Sequence, residues 1–427
     1  MSGFEDHSPK PTRAWVLHPD ITSDRLRRKS GPALEEAVSL AAALPELEVV
    51  GSNVVPLPKV RAGYLFGSGK IEEIGKALKE AEVDLVLVDG PVTPVQQRNL
   101  EKEWKVKLLD RTGLILEIFA DRARTREGVL QVELAALSYQ RTRLVRAWTH
   151  LERQRGGLGF VGGPGETQIE ADRRAIDEAI TRLRRQLAKV AKTRDLHRAA
   201  RKKVPFPVVA LVGYTNAGKS TLFNRLTGAD VMAEDMLFAT LDPTMRGITL
   251  PSGRKVILSD TVGFISDLPT QLVAAFRATL EEVLEANLIL HVRDIAHADS
   301  QEQATDVRAI MAELGVSEDT PQIEVWNKTD LLTDDQREAL QVKADREPNI
   351  FTMSAVTGAG VDALLDAVTN ALDEERTERE LVLPYSEGKK RAWLFDQGVV
   401  TGETQGEDGY VIQVRWTARQ EKRFREI

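Results

Sequence analysis

The chain has 427 residues, 42% of them hydrophobic, 29% charged and none cysteine. It is long enough for about three globular domains, and disulfides, zinc–thiolate sites, iron–sulfur clusters and cysteine nucleophiles are excluded. The net charge of −7 argues, on its face, against a nucleic-acid partner.

Other classes fall on pattern. No apolar run approaches the ~18 residues of a membrane span, and Met1–Lys10 lacks the apolar core of a signal peptide. The six histidines are scattered, without H-E-x-x-H spacing. A chain without cysteine fits a reducing cytoplasm most simply.

Over residues 1–121, short apolar runs alternate with helical patterns. Trp15–His18, Val49–Val55, Leu85–Val88 and Val106–Leu109 read as strands. Pro32–Leu44, Ile71–Ala81 and Pro94–Trp104 read as helices. That alternation predicts a small, mostly parallel α/β subdomain. Gly67-Ser68-Gly69-Lys70 precedes a helix and is half of a phosphate loop. A loop-to-helix turn is the preferred reading, with a second nucleotide site as the alternative.

Residues 122–203 carry 20 Lys and Arg against 9 Asp and Glu, a net of +11, leaving −18 for the rest. Apolar residues recur at Leu130, Leu134, Leu137, Leu144, Trp148 and Leu151. They recur again at Ile169, Ile176, Ile180, Leu183, Leu187 and Val190. These heptad steps, divided by Gly-rich Gly156–Gly165, predict an antiparallel helical hairpin with two arms of roughly 32 Å each. The basic surface is a candidate footprint for a polyanion, with a solvated helix face as the plain alternative. The long break places Leu158, Phe160 and Val161 at an exposed tip.

Residues 204–372 hold the densest chemistry. Val208–Val212 is a continuous apolar strand that feeds into Gly213-Tyr214-Thr215-Asn216-Ala217-Gly218-Lys219-Ser220-Thr221 and then a helix. This matches G-x-x-x-x-G-K-[ST] with the required flanks. Backbone N–H groups would wrap phosphates, Lys219 would meet the β/γ oxygens and Ser220 would offer an oxygen to Mg²⁺. Val256–Leu258 leads to Asp260-Thr261-Val262-Gly263. Asp260 there would hold Mg²⁺ through water, and the Gly263 N–H would meet the γ-phosphate. Ile323–Trp326 leads to Asn327-Lys328-Thr329-Asp330. The Asp330 carboxylate can accept from guanine N1–H and the 2-amino group, which adenine lacks. Ile350–Met353 leads to Ser354-Ala355-Val356, whose backbone can meet guanine O6. Between the first two motifs lies Phe238-Ala239-Thr240-Leu241-Asp242-Pro243-Thr244. A threonine there must close over Mg²⁺, and spacing alone leaves both Thr240 and Thr244 open.

Residues 373–427 read as a small α+β appendage. Asp373–Glu380 is a charged link or helix extension, and Ala392–Val400 and Gly409–Trp416 read as strands.

These motifs, with Ala123–Leu137 and His150–Arg174, resemble HflX-type ribosome-associated GTPases over nearly the whole length. The resemblance implies an α/β fold: a P-loop GTPase domain with an N-terminal α/β subdomain, an antiparallel helical hairpin and a small C-terminal α+β domain. It selects Thr240, through F-x-T, as the Mg²⁺ threonine, so that Lys219, Thr240 and Gly263 are the catalytic candidates. It also implies that the GTP form binds the large (50S) ribosomal subunit of the 70S ribosome, and a monomeric, cytoplasmic protein is expected. The hairpin would reach rRNA to promote splitting or rescue, and GTP would be hydrolysed to GDP and phosphate. The tip Gly159–Pro164 departs from the family's arginine-bearing pattern. Phe264 stands where many regulatory GTPases place a water-orienting Gln, so slow hydrolysis that a partner accelerates is expected. The competing readings are an RNA-binding, helicase-like ATPase using the N-terminal subdomain, and a ribosome-assembly or hibernation factor gated by GTP.

Overall fold

The computed structural model describes residues 10–23, 28–154, 164–201, 206–229, 237–238, 240–241, 244–266, 282–317, 319–372, 376–406 and 409–425. Residues 1–364 form one compact unit and residues 365–427 a second.

The first sheet is built from β1 (Thr12–Ile21), β2 (Leu47–Leu57), β3 (Leu85–Val88) and β4 (Lys107–Asp110). Its order is β2-β1-β3-β4, all parallel. Helices α1 (Ser30–Ala42), α2 (Ser68–Glu80) and α3 (Pro94–Trp104) connect the strands. The α3 start is a capping box, in which Thr93 and Gln96 satisfy each other's backbone N–H behind Pro94.

Helix α4 (Arg111–Arg122) follows β4 directly, where no helix is predicted from sequence. Asp110 caps it by accepting the Gly113 N–H at 2.9 Å. Leu114, Ile115, Leu116, Ile118 and Phe119 are all buried. A helix covered on several sides shows no amphipathic period, so its apolar run gives no helical signal.

The hairpin is α5 (Arg126–Gln154) and α6 (Pro164–Arg201). Arg141 pairs with Asp177 at 2.6 Å, and these residues lie equally far from the middle of the break. The helices therefore run antiparallel. The helices are longer than the heptads suggest, and α6 begins at Pro164, so Pro164 and Gly165 belong to the helix rather than to the break. Proline suits a first helical position, where its missing N–H has no partner to lose. The apolar tip residues Leu158, Phe160 and Val161 lie outside the described residues.

The second sheet contains β5 (Val208–Gly213), β6 (Thr244–Thr249), β7 (Lys255–Asp260), β8 (Leu288–Asp294), β9 (Gln322–Asn327) and β10 (Ile350–Thr352). The order is β10-β9-β8-β5-β7-β6, parallel except for β6 against β7. Helices α7 (Lys219–Thr227), α8 (Ser300–Leu314), α9 (Asp334–Ala344) and α10 (Val361–Leu372) complete this part. The division between the two compact units falls within α10.

The second unit holds a three-stranded antiparallel sheet, β11 (Arg376–Pro384), β13 (Gly409–Thr417) and β12 (Val400–Gln405), in that order. Helices α11 (Gly388–Asp396) and α12 (Ala418–Arg425) accompany it. Two sequence readings change here. Ala392–Asp396 is helical, not extended, and Gly398, at φ 61°, follows the helix end before β12. Arg376–Glu380 is strand rather than link. Its charges face solvent-side partners such as Arg379–Glu421 at 3.5 Å, so charge density concealed the strand pattern. Trp416, Phe424, Leu394 and Ile412 form the core of this unit.

Candidate nucleotide site

The carboxyl ends of β5, β7 and β9 bring the sequence motifs together, at the edge where open α/β sheets receive ligands. Gly213–Gly218 joins β5 to the N-terminus of α7. Asn216 (φ 58°) and Gly218 (φ 90°) adopt left-handed backbone, which turns successive N–H groups inward. A Cβ at Gly218 would meet Asn327 Nδ2 at 2.2 Å, so glycine is required both for conformation and for close approach. Ala217 is fully buried and Thr215 nearly so, while Ser220 and Thr221 are half-buried on the first turn of α7.

Lys219 is 6% exposed, and its Nζ donates to Tyr214 O at 2.8 Å and Gly213 O at 3.3 Å. Burial pulls its pKa down to about 8, against the attraction of Asp260. Burial likewise pushes the Asp260 carboxyl up, against Lys219 and the hydroxyls of Ser220 and Thr240. Three oxygens converge beside this pair. Ser220 Oγ lies 2.8 Å from Thr240 Oγ1 and donates to Asp260 Oδ2 at 2.7 Å, and Thr240 Oγ1 donates to the same oxygen at 2.9 Å. Asp260 Oδ1 is buried without a hydrogen-bond partner among the described residues. An all-oxygen set with an orphaned carboxylate oxygen suits a hard cation such as Mg²⁺. Thr244 begins β6 opposite Asp260, but the hydroxyl bonded to Ser220 and Asp260 is that of Thr240. The structure therefore brings Thr240, not Thr244, to the oxygen cluster.

The D-x-x-G segment is laid against the phosphate loop. Thr215 N–H donates to Phe264 O at 2.7 Å and Phe264 N–H to Gly213 O at 3.1 Å. A Cβ on Gly263 would stand 2.8 Å from Thr215 Cα and 3.0 Å from Lys219 Nζ. Thr261 is buried and donates to Leu211 O at 2.6 Å, and Val262, Phe264, Phe238 and Leu241 are also buried. Ala239 and Asp242 lie outside the described residues.

Asn327 is the hinge of the N-K-x-D and Ser354–Val356 segments. Its Nδ2 donates to Ala217 O at 2.8 Å, and its Oδ1 accepts the Ala355 N–H at 2.9 Å. It thus ties the phosphate loop to the Ser354–Val356 loop. Lys328 (φ 66°) pairs with Asp294 at 2.9 Å, and Thr329 N–H reaches Met353 O at 3.3 Å. Asp330 is exposed on the 3₁₀ turn Thr329–Leu331, with its carboxylate open to solvent. Ser354 is buried, and Val356 is exposed.

Sequence reasoning does not find several contributors. Arg225 on α7 donates to Ala355 O and Val356 O, anchoring the Ser354–Val356 loop from the helix that follows Gly213–Gly218. Tyr214 donates to Glu36 on α1 and accepts the Ser266 N–H at 2.7 Å. Burial pushes its phenol pKa up, with Glu36 adding to the shift. Arg225 carries a faint signal, a basic residue in the last turn of a helix. Glu36 carries none.

At Gly67–Lys70, Gly67 caps α2, and exposed Lys70 pairs with Glu73 at 2.7 Å within the helix. That is the loop-to-helix turn. No described helix is long and apolar enough to cross a membrane.

Four family profiles cover most of the chain. The one described as GTP-binding GTPase N-terminal matches residues 32–120 and the GTP-binding GTPase middle region matches 122–201. The profile described as 50S ribosome-binding GTPase matches 208–328, and the HflX C-terminal domain matches 339–426. A protein named GTPase HflX from Magnetococcus marinus is 50% identical over 401 residues, covering 93% of this chain and 91% of that one. GTPase HflX of Escherichia coli K12 is 46% identical over 407 residues, covering 94% and 93%. A solved GTP-binding protein from Sulfolobus solfataricus in complex with GDP aligns over 84% of this chain and 98% of that one, with 23% identity and a TM-score of 0.46. With both relatives matched almost end to end, the chain belongs to the HflX family of GTPases.

Proposed function

We propose that this GTPase acts in the cytoplasm as a monomer that binds the large ribosomal subunit in its GTP state and promotes separation of the 70S ribosome. The observation that carries the reading is the two-helix arm. On α6, Arg182, Arg184, Arg185, Lys189 and Lys192 are exposed, and no acid interrupts residues 179–194. Such a face lowers its free energy by displacing counterions from a phosphate backbone, so binding weakens as salt rises. The profile described as 50S ribosome-binding GTPase supports the same partner. Four modules divide the work: residues 1–121, the arm at 122–203, the GTPase domain at 204–372 and the small domain at 373–427.

In this reading, Gly213–Thr221 cradles the phosphates and Lys219 meets the β/γ oxygens. Ser220 and Thr240 hold Mg²⁺, with Asp260 acting through water. When bound, Mg²⁺ neutralises charge on the β- and γ-phosphates. Gly263 offers its N–H to the γ-phosphate, Asp330 reads the guanine edge and Ser354–Val356 closes over O6. Phe264 is 1% exposed and offers nothing to an attacking water. Hydrolysis by the protein alone is therefore slow, and the ribosome accelerates it.

Sedimentation of 70S ribosomes with the protein tests this. Subunits should separate with GTP or a non-hydrolysable analogue, and not with GDP. Separation that is indifferent to the nucleotide, or none at all, defeats the reading.

A further inference from the structure

Helix α4 belongs by chain order to the N-terminal sheet, yet its two ends touch the two segments that flank the proposed cation and γ-phosphate positions. Arg111, at its first turn, is 5% exposed. It donates to Asp89 Oδ1 at 2.6 Å, to Glu36 Oε1, and to the backbone carbonyl of Ser266 at 2.8 Å. Asp89 also meets His18 Nδ1 at 2.7 Å and Arg28 at 3.2 Å. Two acids and two arginines offset one another, so the cluster is stable without a ligand and its geometry is held. Arg111's donation to the Ser266 carbonyl leaves the cluster and fixes the chain three residues beyond Gly263. The Ser266 hydroxyl donates onward to Asp306 on α8 at 2.6 Å, which pins the same residue from the other side.

Eight residues along α4, roughly 12 Å further on, Phe119 meets Phe238 edge-on, with ring centroids 4.6 Å apart. Phe238 lies two residues before Thr240 and holds φ at 58°. A left-handed phenylalanine costs on the order of 1 kcal/mol and persists only where packing imposes it. Phe119, itself 1% exposed, is part of that packing.

We propose that α4 is a positioning element for GTP turnover: Arg111 sets the segment behind Gly263, and Phe119 sets the segment before Thr240. Neither residue touches nucleotide. They act by holding Gly263 and Thr240 where the γ-phosphate and the cation require them, so their loss penalises the triphosphate state and leaves the diphosphate state nearly untouched. The inference rests on the roles assigned above to Thr240 and Gly263.

The test uses the full chain without ribosomes, in Arg111→Gln, Phe119→Leu and Thr240→Ala variants. Three readouts apply: single-turnover GTP hydrolysis, and equilibrium binding of GDP and of a non-hydrolysable GTP analogue. Arg111→Gln and Phe119→Leu should each slow hydrolysis about tenfold and weaken the analogue about fivefold. GDP affinity should stay within twofold. A merely structural role would weaken both nucleotides together or change neither, and either result overturns the proposal. Phe119→Leu removes no charge and decides the matter if Arg111→Gln does not fold. Full turnover in Thr240→Ala would instead show that the site assignment itself fails.

Discussion

The two parallel sheets present the same kind of edge and use it in opposite ways. Each gathers buried charge at its carboxyl ends, and each has a Gly- and Lys-bearing turn before a helix. In the N-terminal sheet the charge is compensated. Asp89 is surrounded by His18, Arg111 and Arg28. Although burial pushes its carboxyl up, those partners hold it at about 2. In the GTPase sheet the charge is left short of partners. Lys219 is pulled down and Asp260 pushed up, and Asp260 Oδ1 has no partner among the described residues. A fold tolerates such a deficit where a ligand supplies the missing charge. The two edges thus differ in how fully their buried charge is compensated, a difference that does not depend on the motif.

The sharpest way to break this comparison is to neutralise the same residue type on each sheet. Asp89→Asn leaves Arg111 and Arg28 to share Glu36 alone and should cost about 3 kcal/mol, lowering the unfolding midpoint by about 5–10 °C. Asp260→Asn should abolish turnover while changing the midpoint little, because losing a carboxylate that burial disfavours is set against losing the counter-charge of Lys219. Thermal unfolding without nucleotide reads both. A loss of stability in Asp260→Asn as large as in Asp89→Asn would erase the distinction.

Next comes the pair of lysines. Lys219→Ala should reduce GTP affinity and turnover on the order of 100-fold. Lys70→Ala removes only an exposed pair with Glu73 and should leave both within twofold. A matching ATP or GTP deficit in Lys70→Ala would restore the N-terminal turn as a nucleotide site.

The same contrast explains what could be read from sequence. The phosphate loop is nine consecutive residues whose neighbours in space are their neighbours in the chain, so Gly213–Thr221 was legible with its strand and helix. Asn327 was legible as part of a motif, although its contacts with Ala217 and Ala355 were not. The cluster around Asp89 was illegible. Glu36 meets Tyr214 across 178 positions and Arg111 meets Ser266 across 155, and no local pattern encodes either. Helix α4 itself escaped because it is buried on several faces, and periodicity registers only a helix with a solvent side. In the C-terminal unit, the short run Ala392–Phe395 fits helix or strand equally, and tertiary packing decided for helix. The basic arm was legible as charge and heptads, since a two-helix seam is the arrangement that sequence period describes most directly.

The smallest expected effect is a pH dependence carried by the buried histidine of the GTPase sheet. His18 on β1 sits against Asp89, whereas His291 on β8 is 2% exposed, with Nε2 lacking a partner among the described residues. Burial draws His291 down to about 4. Glu324 opposes the shift, while Arg293, Arg308 and Lys219 reinforce it. Its folded pKa therefore lies below the unfolded value near 6.5, so the unfolded chain binds the extra proton between the two. Stability is complete above about pH 6.5 and is lost as pH falls toward 4, by about 2 kcal/mol between pH 7 and pH 5. His291→Gln should flatten the unfolding midpoint over that window, whereas the parent's midpoint should fall. An equally steep fall in both would show that the lost stability comes from carboxylates rather than from this ring, and that the GTPase sheet's uncompensated charge is confined to Lys219 and Asp260.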